Sequence, residues 1–354
     1  DPADELTAST YNLAAPADIP DAGVNPLNCG ESGTTLRFLI PILSAMGYHG
    51  RMIGRGRLPT RPLPGEEALT SHGAILRREG ADTLPLTLGG QLTSGTYRVS
   101  GNESSQLISG LLYALPLLPG DSTLALTPPV ASAGYIEMTR SVLRAFGIQN
   151  HETAAGYQIP GGQSYRACDF TVEGDFSNAA FFLAAQCLGH AVAVDGLHSG
   201  SLQGDAAAPE LFRRFQQRPT SPLVIDVSNI PDLLPILAVT AAFFPRTTEF
   251  TNAARLRLKE SDRLAATAQG LRALGGSAEI QDDRLLVAGG QPLHGGVIDC
   301  HNDHRIAMAF AIAATRCQGP VTLLGADCVN KSYPTFWEEY QRLGGIAHVI
   351  HMGS

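Results

Sequence analysis

The stretch Arg257-Leu-Lys-Glu-Ser-Asp-Arg263 decides how the rest of the chain is read. Five of its seven residues are charged, and an apolar periodic segment follows at once. Leu264, Leu271 and Leu274 fall on one face of a helix, and Gly275-Gly276 supplies its stop. Ser261 or Asp262 can cap the start. Arg257, Lys259, Glu260 and Arg263 then crowd around a helix N-terminus, whose partial positive charge already favours an anion. A solvated helix entry needs one cap and one acid, not this density of cations. The stretch therefore reads as an anion site rather than as a plain charged helix start.

Composition sets the frame. The chain has 354 residues, 44% of them hydrophobic, which is enough for a large core and predicts two domains. Its 38 Gly and 23 Pro imply many tight connections rather than long helices. No apolar run approaches a membrane span. The start, Asp1-Pro-Ala-Asp-Glu-Leu, lacks the basic and apolar regions of a signal peptide, so a cytoplasmic protein is expected. A net charge of −8 argues against a nucleic-acid partner and means that any site for an anion must be built from local Arg and Lys clusters. The six cysteines (Cys29, Cys168, Cys187, Cys300, Cys317, Cys328) form no Cys-x-x-Cys pair and read as reduced thiols, with neither a zinc site nor a disulfide framework.

Along the chain one rhythm repeats: strands with Gly/Pro turns, a polar turn, then a short apolar helix. Residues 1–26 are Ala/Pro/Asp-rich and weakly structured by pattern. Asn28-Cys-Gly-Glu-Ser-Gly-Thr-Thr-Leu-Arg37 enters an apolar helix ending at Gly47, and its N–H groups and hydroxyls can face an anion. A basic loop follows with Arg51, Arg55, Arg57 and Arg61, and residues 84–100 alternate as short strands. Ser104-Ser105-Gln106 opens a helix from Leu107 to about Leu115, and Ser132-Ala-Gly-Tyr135 precedes one from Ile136 to about Phe146. Glu173-Gly-Asp175-Phe-Ser-Asn178 leads into another apolar helix, and the domain boundary is placed just before it, giving domains 1–170 and 171–354. Asp232 looks like the N-cap of a helix from Leu233 to Phe244. His301-Asn-Asp303-His304-Arg305 enters an all-apolar helix; His301 and His304 have no companion ligands in a zinc pattern, so no metal site is expected. Lys331-Ser-Tyr-Pro334 leads into the last helix, ending at Gly344-Gly345. The repetition in both halves argues for repeated α/β units whose helix N-termini converge. There is no Gly-x-Gly-x-x-Gly and no Walker motif.

Taken together, these motifs resemble one family, the 5-enolpyruvylshikimate-3-phosphate synthases (3-phosphoshikimate 1-carboxyvinyltransferases). Glu31-Ser-Gly33-Thr-Thr-Leu-Arg37 is similar to the family's Asn-Ala-Gly-Thr-x-x-Arg, and Arg61-Pro62-Leu63 to its Arg-Pro-Met/Ile. Ser104-Ser105-Gln106 is its Ser-Ser-Gln. Ser132-Ala-Gly-Tyr135 is similar to its Ser-x-Pro-Tyr, with Gly134 in place of proline. Lys259-Glu-Ser-Asp-Arg263, Asp303-His304-Arg305 and Lys331-Ser-Tyr-Pro334 complete the set over most of the chain.

The resemblance implies an α/β fold, a two-domain inside-out prism of repeated βαβαββ units closing on substrate at the domain interface. It implies transfer of the enolpyruvyl group of phosphoenolpyruvate to the 5-hydroxyl of shikimate 3-phosphate, with release of phosphate, in aromatic amino acid biosynthesis. No metal or organic cofactor is implied, the chain is expected to be a monomer, and glyphosate is expected to compete at the phosphoenolpyruvate site. By the resemblance, Gly33, Arg37, Arg61, Arg263, Arg305 and Lys331 bind phosphoenolpyruvate. Ser104, Ser105, Gln106, Ser132, Tyr135, Asp232 and Lys259 bind shikimate 3-phosphate. Asp232, Glu260 and Lys259 are the catalytic set: Asp232 takes the proton of the attacking hydroxyl, and Glu260 protonates and later deprotonates the methylene carbon.

One departure shapes a second expectation. The family's opening strand and its Pro-Gly-x-Lys-Ser hinge have no match in residues 1–27, and Pro119-Gly-Asp-Ser122 stands elsewhere and lacks the Lys. The C-terminus, 348–354, does not supply them either. The chain reads as the family without its first repeat unit. The alternative to an active transferase is then a non-catalytic relative that at most binds shikimate 3-phosphate.

Overall fold

Three stretches of the chain fold into the same pattern, strand–helix–strand–helix–strand–strand, and each closes on itself as a four-stranded sheet. The computed structural model describes residues 25–102, 104–217 and 222–350. The first repeat runs β1 (Leu27–Asn28), α1 (Gly33–Ala45), β2 (Gly50–Ile53), α2 (Glu66–Thr70), β3 (Ala74–Arg78) and β4 (Leu86–Gly90). The second runs β5 (Thr96–Ser100), α3 (Ser105–Ala114), β6 (Ser122–Thr127), α4 (Ala133–Ala145), β7 (His151–Thr153) and β8 (Gly156–Ile159). Helices α5 (Phe176–Cys187) and α6 (Ala208–Gln216) precede the third, which runs β9 (Leu223–Asp226), α7 (Leu234–Ala242), β10 (Thr247–Thr251), α8 (Arg263–Ala273), β11 (Ser277–Gln281) and β12 (Arg284–Ala288). A further β13 (Gly296–Asp299), α9 (His304–Ala314), β14 (Val321–Leu324) and α10 (Phe336–Arg342) start the pattern again.

The sheet orders are β1-β2-β4-β3, β5-β6-β8-β7 and β9-β10-β12-β11. In each, the first two strands are parallel across a helix and the last two close as antiparallel neighbours. The alternation of side chains does the packing. Thr248 and Phe250 of β10 lie opposite Val287 and Leu285 of β12, and all four are fully buried.

The chain forms two compact lobes. Among the described residues the first holds 25–130 and 139–173, and the second 131–138 and 174–350. In the first lobe α1 and α3 pack together. Gly110 permits the approach, since a Cβ there would lie 2.6 Å from the Arg37 carbonyl. The core of the second lobe is built around α7 and α9. All nine residues of α7 are buried, as is every residue of α9 from His304 to Ala313. Helices apolar on all sides sit inside a core. Ile306, Met308, Phe310 and Ile312 each contribute about 1.5–3 kcal/mol by burial, so the first turn of α9 is firmly held.

Sequence and structure agree on these helices to within a turn. Asp262, not Ser261, caps α8 through Ala265 N–H, and Leu264, Leu271 and Leu274 are fully buried. Gly47, Gly147, Gly275 and Gly344 follow helix ends with positive φ, where glycine is unstrained. Helix α4 starts at Ala133, three residues ahead of the expected Ile136. The expected cap at Asp232 does not form. Residues Pro231–Leu233 make a 3-10 turn leading into α7, and the Asp232 side chain makes no cap hydrogen bond because cations draw it away. The weakly structured reading of residues 1–26 falls, apart from 25 and 26, outside the described residues, as do 351–354 of the C-terminus. All six cysteines are free thiols. No helix among the described residues is long and apolar enough to cross a membrane.

Candidate active site

In the second lobe, the entries to α5, α7, α8 and α9 bring charged side chains together, and Arg263 is their centre. It is 1% exposed, and each guanidinium nitrogen donates to a different carboxylate. Nε reaches Asp303 Oδ2 at 2.8 Å, Nη1 reaches Asp232 Oδ1 at 2.5 Å, and Nη2 reaches Glu260 Oε2 at 2.5 Å. Asp303 is itself fully buried. It caps α9 through Arg305 N–H at 3.0 Å and accepts from Ser261 Oγ at 2.9 Å. Burial alone would raise the Asp303 carboxyl, but Arg263 outweighs it and holds it down at about 2.

Asp232 has three cations around it. Lys259 Nζ lies 3.2 Å from Oδ1, and Arg305 Nη2 lies 3.7 Å from Oδ2, besides the bond from Arg263. Burial pushes its pKa up, but Lys259, Arg305 and Arg263 together hold it well below the usual carboxylate range. Glu260 is lowered in the same way, burial being outweighed by Arg263. Lys259 is lowered from its ordinary value because desolvation exceeds the help it has from Asp232. A lowered lysine gives up a proton more readily than one in water. Arg305 Nη1 is buried without a hydrogen-bond partner among the described residues, so part of that guanidinium is uncommitted. His304 stays neutral: burial first, then Arg305 and Arg263, bring it down to about 4.

Three more segments border this cluster. Lys331 donates to the Asn302 carbonyl at 2.7 Å, just ahead of α9, and its 3-10 turn accepts the Trp337 indole N–H at Ala326 O, 3.2 Å away. Ser132 has φ +56, a left-handed conformation uncommon for serine. Its N–H donates to Asn229 Oδ1 at 3.0 Å, and its Oγ accepts from Arg255 Nη1 at 2.9 Å. Tyr135 follows it; burial raises the phenol, and the nearby Asp232 and Asp205 charges add to that. Asp205 is 1% exposed and accepts from Ser177 Oγ at the start of α5. Burial, with the Asp232 charge adding, pushes its carboxyl up to about 6, and its Oδ1 has no hydrogen-bond partner among the described residues.

The first lobe has its own cluster. Arg37 is 5% exposed; Nη1 donates to Gln106 Oε1 and Nη2 to the Pro62 carbonyl, both at 2.8 Å. Gln106 Nε2 in turn donates to Thr34 Oγ1 at 2.8 Å. Thus Gly33-Thr34-Arg37, Arg61-Pro62 and Ser104-Ser105-Gln106, far apart in sequence, meet at one place. A Cβ on Gly33 would fall against Arg37 Nη1 and lie 3.1 Å from Arg61 Nη1, so only glycine leaves both guanidinium groups where they are. Ser104 precedes α3 but its side chain makes no cap bond.

The expected residues therefore gather in two places. Gly33, Arg37, Arg61, Ser104, Ser105 and Gln106 lie in the first lobe. Ser132, Tyr135, Asp232, Lys259, Glu260, Arg263, Arg305 and Lys331 lie in the second. Of the basic loop only Arg61 joins a cluster; Arg51 pairs with Glu79 at the surface, and Arg55 and Arg57 are exposed. Sequence reading missed Asp205 and Arg255, whose partners are distant in the chain, and it missed that Asp303 holds Arg263. Asp303 did carry a signal, since it stands as the lone cap of an all-apolar helix.

The chain is similar over most of its length to known proteins of one family. The EPSP synthase (3-phosphoshikimate 1-carboxyvinyltransferase) family matches residues 15–340. The 3-phosphoshikimate 1-carboxyvinyltransferase of Clostridium acetobutylicum is 42% identical over 341 residues, covering 92% of this chain and 79% of the relative. That of Clostridium kluyveri is 40% identical over 333 residues, covering 90% and 78%. Among solved structures, an EPSP synthase from Acinetobacter baumannii superposes with a TM-score of 0.74 at 27% identity, covering 93% of this chain and 81% of that one. The enolpyruvyl transferase NikO from Streptomyces tendae shares the fold, with a TM-score of 0.66 at 21% identity over 88% and 76%. The matched span takes in both clusters and all three repeats, and on that ground the chain belongs to the EPSP synthase (3-phosphoshikimate 1-carboxyvinyltransferase) family.

Proposed function

We propose that this chain transfers the enolpyruvyl group of phosphoenolpyruvate to the 5-hydroxyl of 3-phosphoshikimate, releasing inorganic phosphate. The observation that carries the reading is the network of Arg263, Asp232, Lys259, Glu260 and Arg305 at the entries to α7, α8 and α9. It places a carboxylate, a lysine of lowered pKa and a partly uncommitted arginine around one point. Both substrates are phosphorylated carboxylates, and side-chain cations with helix N-termini are the groups that recognise such anions.

The chemistry follows from the charges. Asp232 is ionised and accepts the hydrogen bond of the attacking hydroxyl. It is a weak base until the C–O bond forms and the hydroxyl becomes acidic, and Lys259 beside it keeps the proton mobile. The new bond is made to the substituted carbon of the enol, and the methylene carbon takes a proton from Glu260. Glu260 bound to Arg263 is ionised. An arriving phosphate or carboxylate competes for Arg263 and weakens its hold on Glu260, which raises the Glu260 pKa when a proton donor is needed. In the second half the methyl group returns a proton to Glu260 as the C–O bond to phosphate breaks. Arg37, Arg61 and Gly33 for phosphoenolpyruvate, and Ser104, Ser105 and Gln106 for 3-phosphoshikimate, belong to the same reading. So do Arg305 and Lys331 for the first substrate, and Ser132 and Tyr135 for the second. Phosphate release on mixing the full chain with both substrates is the test; turnover that needs both is expected, and its absence overturns the proposal.

A further inference from the structure

We propose that Arg255 is a further substrate-binding residue, which with Ser132 grips the phosphate group of 3-phosphoshikimate and so sets the preference for the phosphorylated over the unphosphorylated ring. This deepens the reading above and rests on it. Arg255 lies in the 3-10 turn Ala254–Leu258, just before Lys259. Its side chain is largely withdrawn from water, which lowers its pKa from the ordinary arginine value even though Asp232 and Tyr135 act in the opposite sense. Its one hydrogen bond among the described residues goes from Nη1 to Ser132 Oγ, and no carboxylate there lies within ion-pair distance of it.

A partly desolvated cation with no counter-ion is costly, and Arg263, a buried guanidinium in the same lobe, has all three nitrogens met by carboxylates. Arg255 is left with most of its N–H donors on the border of the Asp232–Lys259 cluster. Because Ser132 Oγ accepts from Arg255, the Ser132 hydroxyl proton remains to be donated. The pair therefore presents a guanidinium fork and an O–H together. A phosphate dianion, with three oxygens to accept them, matches that set better than a carboxylate.

The test is titration calorimetry of the full chain with 3-phosphoshikimate and, separately, with shikimate, for the unaltered protein, Arg255→Gln and Arg255→Lys, together with the KM for each substrate. Loss of one charged contact predicts roughly a 10- to 100-fold weaker Kd and higher KM for 3-phosphoshikimate in Arg255→Gln. Arg255→Lys, which keeps the charge but not the fork, should lose less. The KM for phosphoenolpyruvate, kcat and the affinity for shikimate should stay within about twofold. Equal losses for shikimate and 3-phosphoshikimate would mean that Arg255 only anchors the Ser132 turn or meets the carboxylate, and would overturn the proposal. So would a 3-phosphoshikimate affinity unchanged in either variant. Failure of the unaltered protein to bind 3-phosphoshikimate would instead sink the functional reading, and this inference with it.

Discussion

Arg37 on α1 and Arg263 at the start of α8 are both buried, 5% and 1% exposed, yet the two lobes hold them by different means. Two of the groups that position Arg37 are an amide oxygen and a backbone carbonyl, and those two contacts do not titrate. Arg263 is positioned by three carboxylates, which are themselves coupled to Lys259 and Arg305. Hydrogen bonds to neutral groups orient a guanidinium without adding charge of their own. An ionic lattice orients it more strongly but ties its charge to the ionisation of its neighbours. The first arrangement suits steady recognition of an anion. The second suits chemistry, because any ion that enters shifts the proton affinity of the carboxylates it displaces.

The most severe way to break the second arrangement is Arg263→Ala. It strips Asp303, which is fully buried, of its counter-charge, and leaves Asp232 and Glu260 short of one. Removing one partner of a buried pair costs about 3–5 kcal/mol. Urea denaturation of the ligand-free protein should show a loss of that size, and a loss below about 1 kcal/mol would mean that the lattice does not hold the lobe together.

Next in size is the pH response expected of the ionic arrangement. Asp205 titrates at about 6 in the fold, above its ordinary 3.8, because burial and the Asp232 charge disfavour its ionised form. A raised folded pKa contributes stability that is present in full below pH 4 and is lost as pH rises through 6. Asp205→Asn cannot ionise and can still accept from Ser177. It should therefore be more stable than the unaltered chain at pH 8, by about 2–3 kcal/mol, with the gain vanishing near pH 4. Melting temperatures across that range decide it; equal shifts at both ends would show that Asp205 is not the titrating group.

The smallest effect comes from making the first cluster imitate the second. Gln106→Glu would hand Arg37 a carboxylate in place of an amide and remove the donor to Thr34 Oγ1. Under the proposed function, the KM for phosphoenolpyruvate should rise by roughly 10-fold while stability changes by less than about 1 kcal/mol. An unchanged KM would mean that the charge of Arg37 is not what the substrate meets.

How much of this was legible in the sequence varies with the range of the interactions. The runs Leu234–Ala242, with Thr240 its one polar residue, and Ile306–Ala313 are apolar nearly all round, which by itself points to helices inside a core. Asp262 and Gly275 mark α8 by local chemistry that acts within a turn. Asp232 failed by the same logic. An aspartate before a helix looks the same in sequence whether it caps that helix or turns toward Lys259 and Arg263, which follow 27 and 31 residues later. In the basic loop, Arg51, Arg55 and Arg57 look in sequence like Arg61 but lack its neighbours in the fold. Arg255 was invisible for the same reason: its significance lies in Ser132, 123 residues away.

Trp337 is the sole tryptophan of the chain, and its indole N–H is bonded to the Ala326 carbonyl in the turn that ends at Lys331. The protein thus carries one built-in fluorophore, anchored to the backbone of a segment that also bears a proposed phosphoenolpyruvate ligand. A movement of that turn on binding would change the surroundings of the indole and with them its emission. Stopped-flow mixing with either substrate, read at the indole and without a label, is the measurement of whether occupancy beside α9 moves that turn.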